Sequence, residues 1–154
     1  MRVDFYHLQK STLDQVLPVL VEKAYASGKR VLIKTDLEEK AGYLDTLLWT
    51  YKPDSWLPHG TRTDGAETEQ PVFISTQGDN PNKADIVILV DGGTAEEIKS
   101  FDRCLNIFDG RDEVALSQAR NLWKEVVNAG CTANYWQQNE TGKWELKVSK
   151  TKEN

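Results

Sequence analysis

The chain has 154 residues, of which 39% are hydrophobic and 28% are charged, so it can bury one core and has the composition of a globular domain. Its net charge of −5 argues against a protein that grips bare phosphate backbone, because such proteins present basic faces. Cys104 and Cys131 form no CxxC pair, and no apolar run approaches the length of a signal core or a membrane span. We therefore expect neither a zinc site nor a disulfide framework, and a single domain in the reducing cytoplasm.

The first two elements are a strand and a helix. Residues 3–8, VDFYHL, alternate β-branched and aromatic residues with polar ones, which predicts a strand. Ser11 or Thr12 is expected to cap a helix with an apolar stripe, and Pro18 either kinks this helix or shifts its start. Gly28 is the expected left-handed residue that ends it.

A second strand and helix follow. Residues 30–34 centre on Val-Leu-Ile, an apolar run too short for a helix and rich in β-branched residues. Asp36 is expected to cap the next helix, with Glu39 completing a capping box, and Leu37 begins its apolar stripe. The order strand, helix, strand, helix predicts a parallel pairing of the two strands through a right-handed crossover.

An aromatic segment follows this helix, in a stretch where two prolines prevent a regular element. Its candidate contact residues are Trp49, Trp56, Leu57, Pro58 and His59. So many apolar and aromatic carbons in a loop must be buried on this chain or on another one. Two interpretations remain open: Trp49 and Leu57 close the core, or the segment supplies rigid anchors for a partner protein.

The middle of the chain continues the α/β pattern. Residues 61–70 have almost nothing to bury and are expected to form a surface loop. A short strand is predicted at residues 72–75, and residues 86–90 form the most apolar strand, which should be central and covered on both faces. Thr94 is expected to cap a further helix.

The last third of the chain predicts a strand, a long helix and a hairpin. Residues 103–108 should form the strand, Asp109 or Asp112 should start the helix, and Gly130 should end it. An edge strand at residues 131–137 can then pair with residues 144–148, leaving residues 149–154 as a polar tail.

These elements predict a three-layer α/β fold, with a mostly parallel central sheet flanked by helices in a Rossmann-like topology. Residues 1–138 are expected to form a single α/β domain, and residues 139–154 a C-terminal hairpin extension and polar tail.

The sequence offers no catalytic, cofactor or metal constellation. No strand-to-helix turn has the glycine pattern of a phosphate-binding loop, and Glu96 and Glu97 would repel a phosphate at the Asp91-Gly92-Gly93-Thr94 turn. His7 and His59 have no metal-binding spacing, and Cys104 inside a strand is expected to be inert core. We therefore expect a protein that is not an enzyme by itself and that binds no cofactor.

The last long helix carries a second candidate binding surface. Arg120 and Lys124 lie four residues apart and share a helix face, with Trp123 beside them. Such a pattern suits an acidic peptide that ends in an aromatic residue. The alternative is a solvated basic face with Trp123 turned into the core.

The motifs VDFYHL, GKRVLI, LDTLLW, an aromatic-Leu-Pro-His loop and ARNLWKEVVNAG, in that order, resemble the chi subunit of bacterial DNA polymerase III holoenzyme over most of the chain up to about Trp136. The resemblance implies a non-catalytic accessory subunit in DNA replication. Such an adaptor bridges the clamp loader, through the psi subunit, to the C-terminal tail of single-stranded-DNA-binding protein, and meets DNA only indirectly.

The resemblance also assigns the two surfaces. The psi subunit would dock on the segment that contains Trp49, Trp56, Leu57, Pro58 and His59. The acidic, phenylalanine-ended tail would bind at Arg120, Trp123 and Lys124, although Trp123 stands where the family pattern has tyrosine. Leu116 and Val127 also depart from it, because the best-known member has basic residues there.

Two other functions stay open at this point. The stretch GKRVLIKTDLEEKAGYLDTLL also resembles a strand and helix of the second motor domain of helicases, which suggests a helicase-like or nucleotide-binding α/β domain. An interaction domain whose aromatic segment forms a homodimer is the other alternative.

Overall fold

The computed structural model describes residues 1–52 and 57–151. The strands are β1 (Arg2–Leu8), β2 (Val31–Lys34), β3 (Gly60–Thr61), β4 (Val72–Ser75), β5 (Ile86–Leu89), β6 (Arg103–Asp109), β7 (Thr132–Gln138) and β8 (Trp144–Lys150). The helices are α1 (Leu13–Ala26), α2 (Glu38–Thr50), α3 (Ala95–Ile98) and α4 (Glu113–Asn128).

The strands form one sheet in the order β3-β4-β2-β5-β6-β1-β7-β8. All neighbouring strands are parallel except β7 and β8, which are antiparallel. The predicted pairing of the first two strands is wrong, because β5 and β6 lie between β2 and β1. Local periodicity identifies a strand, but its neighbour is chosen by contacts between distant parts of the chain.

Two apolar layers cover the sheet, which confirms the three-layer α/β fold. The first layer packs α1 and α2 on one face through residues such as Leu17 and Leu44. The second packs α3 and α4 on the other face through residues such as Ile98 and Leu122. The β5 strand is buried along its whole length in the middle of the sheet, as its apolar sequence predicts.

Most of the predicted helix ends are confirmed. Thr12 and Asp112 are the N-cap residues of α1 and α4, and the Asp112 carboxylate accepts hydrogen bonds from two backbone N–H groups. Gly28 and Gly130 follow these helices with φ angles of +83° and +86°, which glycine adopts readily. Pro18 lies inside α1 and does not shift its start.

The predicted capping of α2 by Asp36 is wrong. The N-cap residue is Leu37, which has no side chain that can cap, and it is exposed rather than part of the buried stripe. The backbone N–H of Asp36 instead donates to Asp91 Oδ2 at 3.1 Å. The same carboxylate accepts from Thr35 Oγ1 and pairs with Lys40, so Asp91 holds this turn from beyond the end of the neighbouring strand β5.

The predicted surface loop at residues 61–70 is more ordered than its composition indicates. Its first residue belongs to β3 at the edge of the sheet, and two short 3-10 turns follow, at Arg62–Asp64 and Glu67–Glu69. Thr61 is buried, and the Arg62 guanidinium lies 5.7 Å from the centre of the Phe73 ring and 2.6 Å from Asp79 Oδ2.

The C-terminal hairpin is present and longer than predicted. Residues 149 and 150, expected in the polar tail, belong to β8. The hairpin is joined to the domain by the pairing of β7 with β1, and the Trp144 ring also packs edge-on against Tyr6 with centroids 5.2 Å apart.

Candidate protein-interaction surfaces

A cavity of about 330 Å³ lies where α4 passes over β6, β7 and β8. We call it the α4 pocket. Its lining residues are Phe108, Leu116, Ala119, Arg120, Trp123, Lys124, Tyr135, Val148 and Lys150. The three residues predicted from the helix spacing, Arg120, Trp123 and Lys124, therefore meet in one concave site.

Aromatic rings form the floor of the α4 pocket. The Trp123 indole is edge-on to the fully buried Phe5, with centroids 5.2 Å apart and an interplanar angle of 62°. It also packs edge-on against Tyr135 at 5.9 Å, and Tyr135 lies 6.1 Å from Phe108. Both interpretations of Trp123 hold in part, because the half-buried ring packs on the core and also faces the cavity. Such a floor is fixed before any partner arrives.

Three cations surround this floor. Arg120 and Lys124 lie one turn apart on α4, and Lys150 ends β8 opposite them. Within residues 1–52 and 57–151, none of the three belongs to an ion pair, and no carboxylate lines the pocket. An apolar floor with three free positive charges at its rim is complementary to an acidic peptide with an aromatic side chain.

The His7 side chain holds the floor of the α4 pocket in place through Tyr135. The Tyr135 hydroxyl and His7 Nδ1 are hydrogen-bonded at 2.6 Å. Burial lowers the pKa of His7 from its ordinary value of 6.5, the charge of Asp109 opposes this shift, and the charge of Arg120 adds to it. A Cβ atom at Gly110 would collide with the His7 ring, so only glycine fits at that position without moving the histidine.

A second surface lies on α2, on the opposite face of the sheet. We call it the Trp49 surface. The Trp49 side chain is 49% exposed and rests on the His59 imidazole, with ring centroids 4.3 Å apart. Pro58 beside it is half-buried. Trp56, the other tryptophan predicted here, lies outside the described residues.

Leu57 and His59 lie beneath this surface rather than on it. Leu57 is 2% exposed and belongs to the α1 and α2 layer, so the core-closing interpretation applies to this residue. The buried His59 has Nδ1 2.7 Å from the Leu57 carbonyl oxygen and Nε2 3.1 Å from the Asp45 carbonyl oxygen. Burial raises the pKa of Asp45, which the nearby His59 charge partly offsets. These contacts hold the segment against α2 and support Trp49.

Two crevices at the carboxyl ends of the parallel strands are where α/β proteins commonly bind nucleotides. Their volumes are about 490 and 540 Å³. Carboxylates line both of them, including Asp36 and Asp91, and Asp91 is already engaged by Lys40. Hydrogen bonds and the charge of Lys40 outweigh the effect of burial and lower the pKa of Asp91, so it stays charged. A phosphate would meet negative charge there.

Neither the buried cysteine nor the acidic and histidine side chains form a reactive or metal-binding centre in the described part of the chain. Cys104 is fully buried, and burial raises the pKa of its thiol far above the ordinary value, so it is unreactive core. Across residues 1–52 and 57–151, no three His, Cys, Asp or Glu side chains are grouped to hold a metal ion. No helix in the same part of the chain has the length and apolarity to cross a bilayer.

Sequence patterns missed most of the pocket walls. Phe108, Tyr135, Val148 and Lys150 come from three strands, and only their pairing brings them under α4. Alternation along the predicted strands could have placed Tyr135 and Val148 on sheet faces. It could not have shown which helix covers those faces.

These features define a doubly wound α/β protein with a cation-rimmed apolar pocket on one face and an exposed tryptophan on the other. A family model described as "DNA polymerase III chi subunit, HolC" matches residues 1–134. The chain therefore belongs to the DNA polymerase III chi subunit family, which confirms the resemblance noted in its sequence.

Curated relatives agree with this membership. The DNA polymerase III subunit chi of Escherichia coli is 28% identical over 125 residues, covering 80% of this chain and 84% of that protein. The protein of the same name from Haemophilus influenzae is 27% identical over 126 residues, covering 79% and 87%. A probable DNA polymerase III subunit chi of Rickettsia prowazekii is 28% identical over 104 residues, but the match spans only 62% of its length.

Proposed function

We propose that this chain is a non-catalytic adaptor of the DNA polymerase III holoenzyme. It joins the clamp loader, through the psi subunit, to the C-terminal tail of single-stranded-DNA-binding protein during chromosome replication in the cytoplasm. Family membership supports a place in the polymerase assembly. The adaptor role is supported by two interaction surfaces on opposite faces of one sheet, because two partners then need not compete.

The α4 pocket is the single observation that carries this proposal. Its aromatic floor accepts the side chain of a terminal phenylalanine, and Arg120 pairs with the chain carboxylate in forked geometry. Lys124 and Lys150 then face the acidic residues that precede the phenylalanine. An acidic tail with an aromatic end therefore complements both the apolar floor and the positively charged rim of the pocket.

Of the two positions where basic residues of the family pattern are replaced, Leu116 and Val127, only Leu116 lines this pocket. Leu116 lines the cavity and makes that wall apolar. Val127 is absent from the lining and packs partly buried against the second core layer. The positive charge of the rim therefore comes from Arg120, Lys124 and Lys150.

Calorimetry with a peptide of the acidic tail tests this assignment. The Arg120→Ala protein should bind roughly tenfold more weakly, and wild-type affinity should fall steeply with added salt, because charge pairs at a rim are screened. Lys143→Ala, which removes an exposed cation outside the pocket, is the matched control and should bind normally. Equal affinity of the Arg120→Ala and wild-type proteins would reject the assignment.

The Trp49 surface is the proposed docking site for psi. Trp49, Trp56 and Pro58 would contact psi, while Leu57 and His59 support them from beneath. Exposed aromatic rings held in one orientation are typical anchors of protein interfaces, since little conformational entropy is lost when they bind.

A nucleotide-binding function is the alternative that the strand-end crevices raise. The carboxylates in both crevices disfavour it. An equilibrium ATP-binding assay separates the two proposals, because the adaptor should show no saturable binding at millimolar ATP.

A further inference from the structure

The C-terminal strand forms one wall of the α4 pocket. The family match ends at residue 134, inside β7, so all of β8 lies beyond it. Val148 and Lys150 of β8 nevertheless line the cavity together with residues of α4. The pocket is therefore composite: α4 and β6 come from the matched part of the chain, and the β8 wall does not.

A β-bulge sets the orientation of this wall. Trp136 is opposite Leu146, but the next residue along, Tyr135, is opposite Val148, so Lys147 is the extra residue. Side chains alternate between the two faces of a strand, and one inserted residue reverses the alternation. Without the bulge, Tyr135 would face Lys147. The bulge thus brings Val148 beside Tyr135 on the α4 face, and Lys150 follows on the same face.

The chemistry of the wall continues that of the rest of the pocket. Val148 is 41% exposed, although its neighbour Tyr135 packs in the aromatic floor, so its apolar side chain is available to a ligand. Lys150 is exposed, and its ammonium group enters no ion pair in the described part of the chain. The wall adds one apolar contact and one positive charge to a site that already contains both kinds of group.

We propose that β8 forms one wall of the α4 pocket and helps to select its ligand. In this proposal β8 contacts the acidic, aromatic-ended peptide on the side away from α4. This inference rests on the proposed function of the pocket. The bound peptide lies between the two elements: Val148 packs against its aromatic ring, and Lys150 pairs with an acidic residue that precedes the ring. Among the described residues, three cations and no carboxylate line the pocket, and this charge favours an acidic occupant over a basic or neutral one.

Calorimetry of the full chain with the tail peptide at low salt tests the wall. Lys150→Ala should weaken binding by about threefold to tenfold and make the affinity less dependent on salt. Val148→Thr, which keeps the β-branched shape but replaces a methyl group with a hydroxyl group, should weaken binding by about threefold. Lys143→Ala is the matched control, since it removes the same charge from the turn that leads into β8, outside the pocket and the bulge, and should change affinity less than about twofold.

The outcomes separate this inference from the proposed function. If Arg120→Ala weakens binding but Lys150→Ala and Val148→Thr do not, the pocket binds the tail without β8 and the inference is overturned alone. If the wild-type chain does not bind the peptide, the inference about β8 and the proposed function of the pocket are both rejected. Thermal unfolding of each variant by circular dichroism confirms that any loss of affinity arises in the folded protein.

Discussion

The hydroxyl of Tyr135 and the Nδ1 atom of His7 are hydrogen-bonded at 2.6 Å, so the floor of the α4 pocket is fixed to the first strand of the sheet. His7 in turn lies against Gly110, at the turn after β6, where a side chain fits only if the His7 ring moves. The shape of the binding site thus depends on a glycine that does not line it.

Gly110→Ala should disturb the pocket through this chain of contacts. The added methyl group must displace the His7 ring, which should break its hydrogen bond to Tyr135 and lower the free energy of unfolding by about 1–3 kcal/mol. Tail-peptide affinity should fall several-fold in calorimetry. Gly78→Ala is the control, because a Cβ there meets open space. A Gly110→Ala protein with wild-type stability and affinity would show that His7 does not position the floor.

Trp123 has a structural and a binding role that two substitutions can separate. Trp123→Ala removes the ring from Phe5 and should lower the free energy of unfolding by about 3 kcal/mol as well as abolish tail binding. Trp123→Tyr keeps an aromatic ring in the floor of the pocket, and should retain binding within about fivefold. Chemical denaturation and calorimetry measure the two effects. If Trp123→Tyr loses binding completely, the indole itself is required.

The sequence predicted those parts of the α4 pocket that depend on residues close together in the chain, and missed those that depend on residues far apart. Helix periodicity placed Arg120, Trp123 and Lys124 on one face, because that spacing is local and fixed at 3.6 residues per turn. The β8 wall depends on the register with β7 and on a bulge at Lys147, which no local pattern specifies. Prediction therefore gave the helix side of the pocket and missed the strand side.

The same reasoning applies to the fold. Caps such as Thr12 and Asp112 were predicted because a side chain bonds to its own helix. Asp36 looked like an equally good cap, but its backbone N–H and the Thr35 hydroxyl donate to Asp91, which follows β5. The position of β1 in the sheet was also not predicted, because it too depends on contacts between residues far apart in the sequence. The β1 strand pairs with β6 and β7, which come from the last third of the chain.

Trp49→Ala should weaken psi binding without unfolding the protein. The side chain is half exposed, so its loss should leave the core intact, whereas an interface anchor costs about 2 kcal/mol or more, roughly thirtyfold in affinity. Surface plasmon resonance with the psi subunit as ligand measures the change. Tyr43→Ala, which removes another exposed aromatic ring of α2, is the control and should bind normally. Equal losses in both variants would point to a general effect on α2.

Stability should fall in acid because of Asp4. Burial alone would raise the pKa of this carboxyl, but hydrogen bonds from Trp136 and Asn134 and the charges of Arg103 and Arg2 outweigh burial and lower it below 3.8. A group with a lowered pKa stabilises the fold fully above its unfolded pKa and loses that contribution as pH falls through the folded pKa. Denaturation between pH 7 and pH 2 should therefore show a loss of stability that begins near pH 4.

Asp4→Asn provides the check on this assignment. The variant should be less stable than the wild type by about 2 kcal/mol at pH 7, because four donors lose a charged acceptor. The difference should narrow as the pH falls below about 4 and through the lowered pKa of Asp4, because the carboxylate of the folded wild type is then protonated. A difference that stays constant over the whole pH range would assign the acid response to other carboxyl groups.

The most direct test of the adaptor is whether both partners bind one chain at the same time. Tail peptide is titrated by calorimetry into the free chain and into the chain saturated with psi. Because the α4 pocket and the Trp49 surface lie on opposite faces of the sheet, the two affinities should agree within about twofold and the complex should contain one copy of each component. If psi and the tail peptide exclude each other, one surface serves both partners and the chain cannot bridge them.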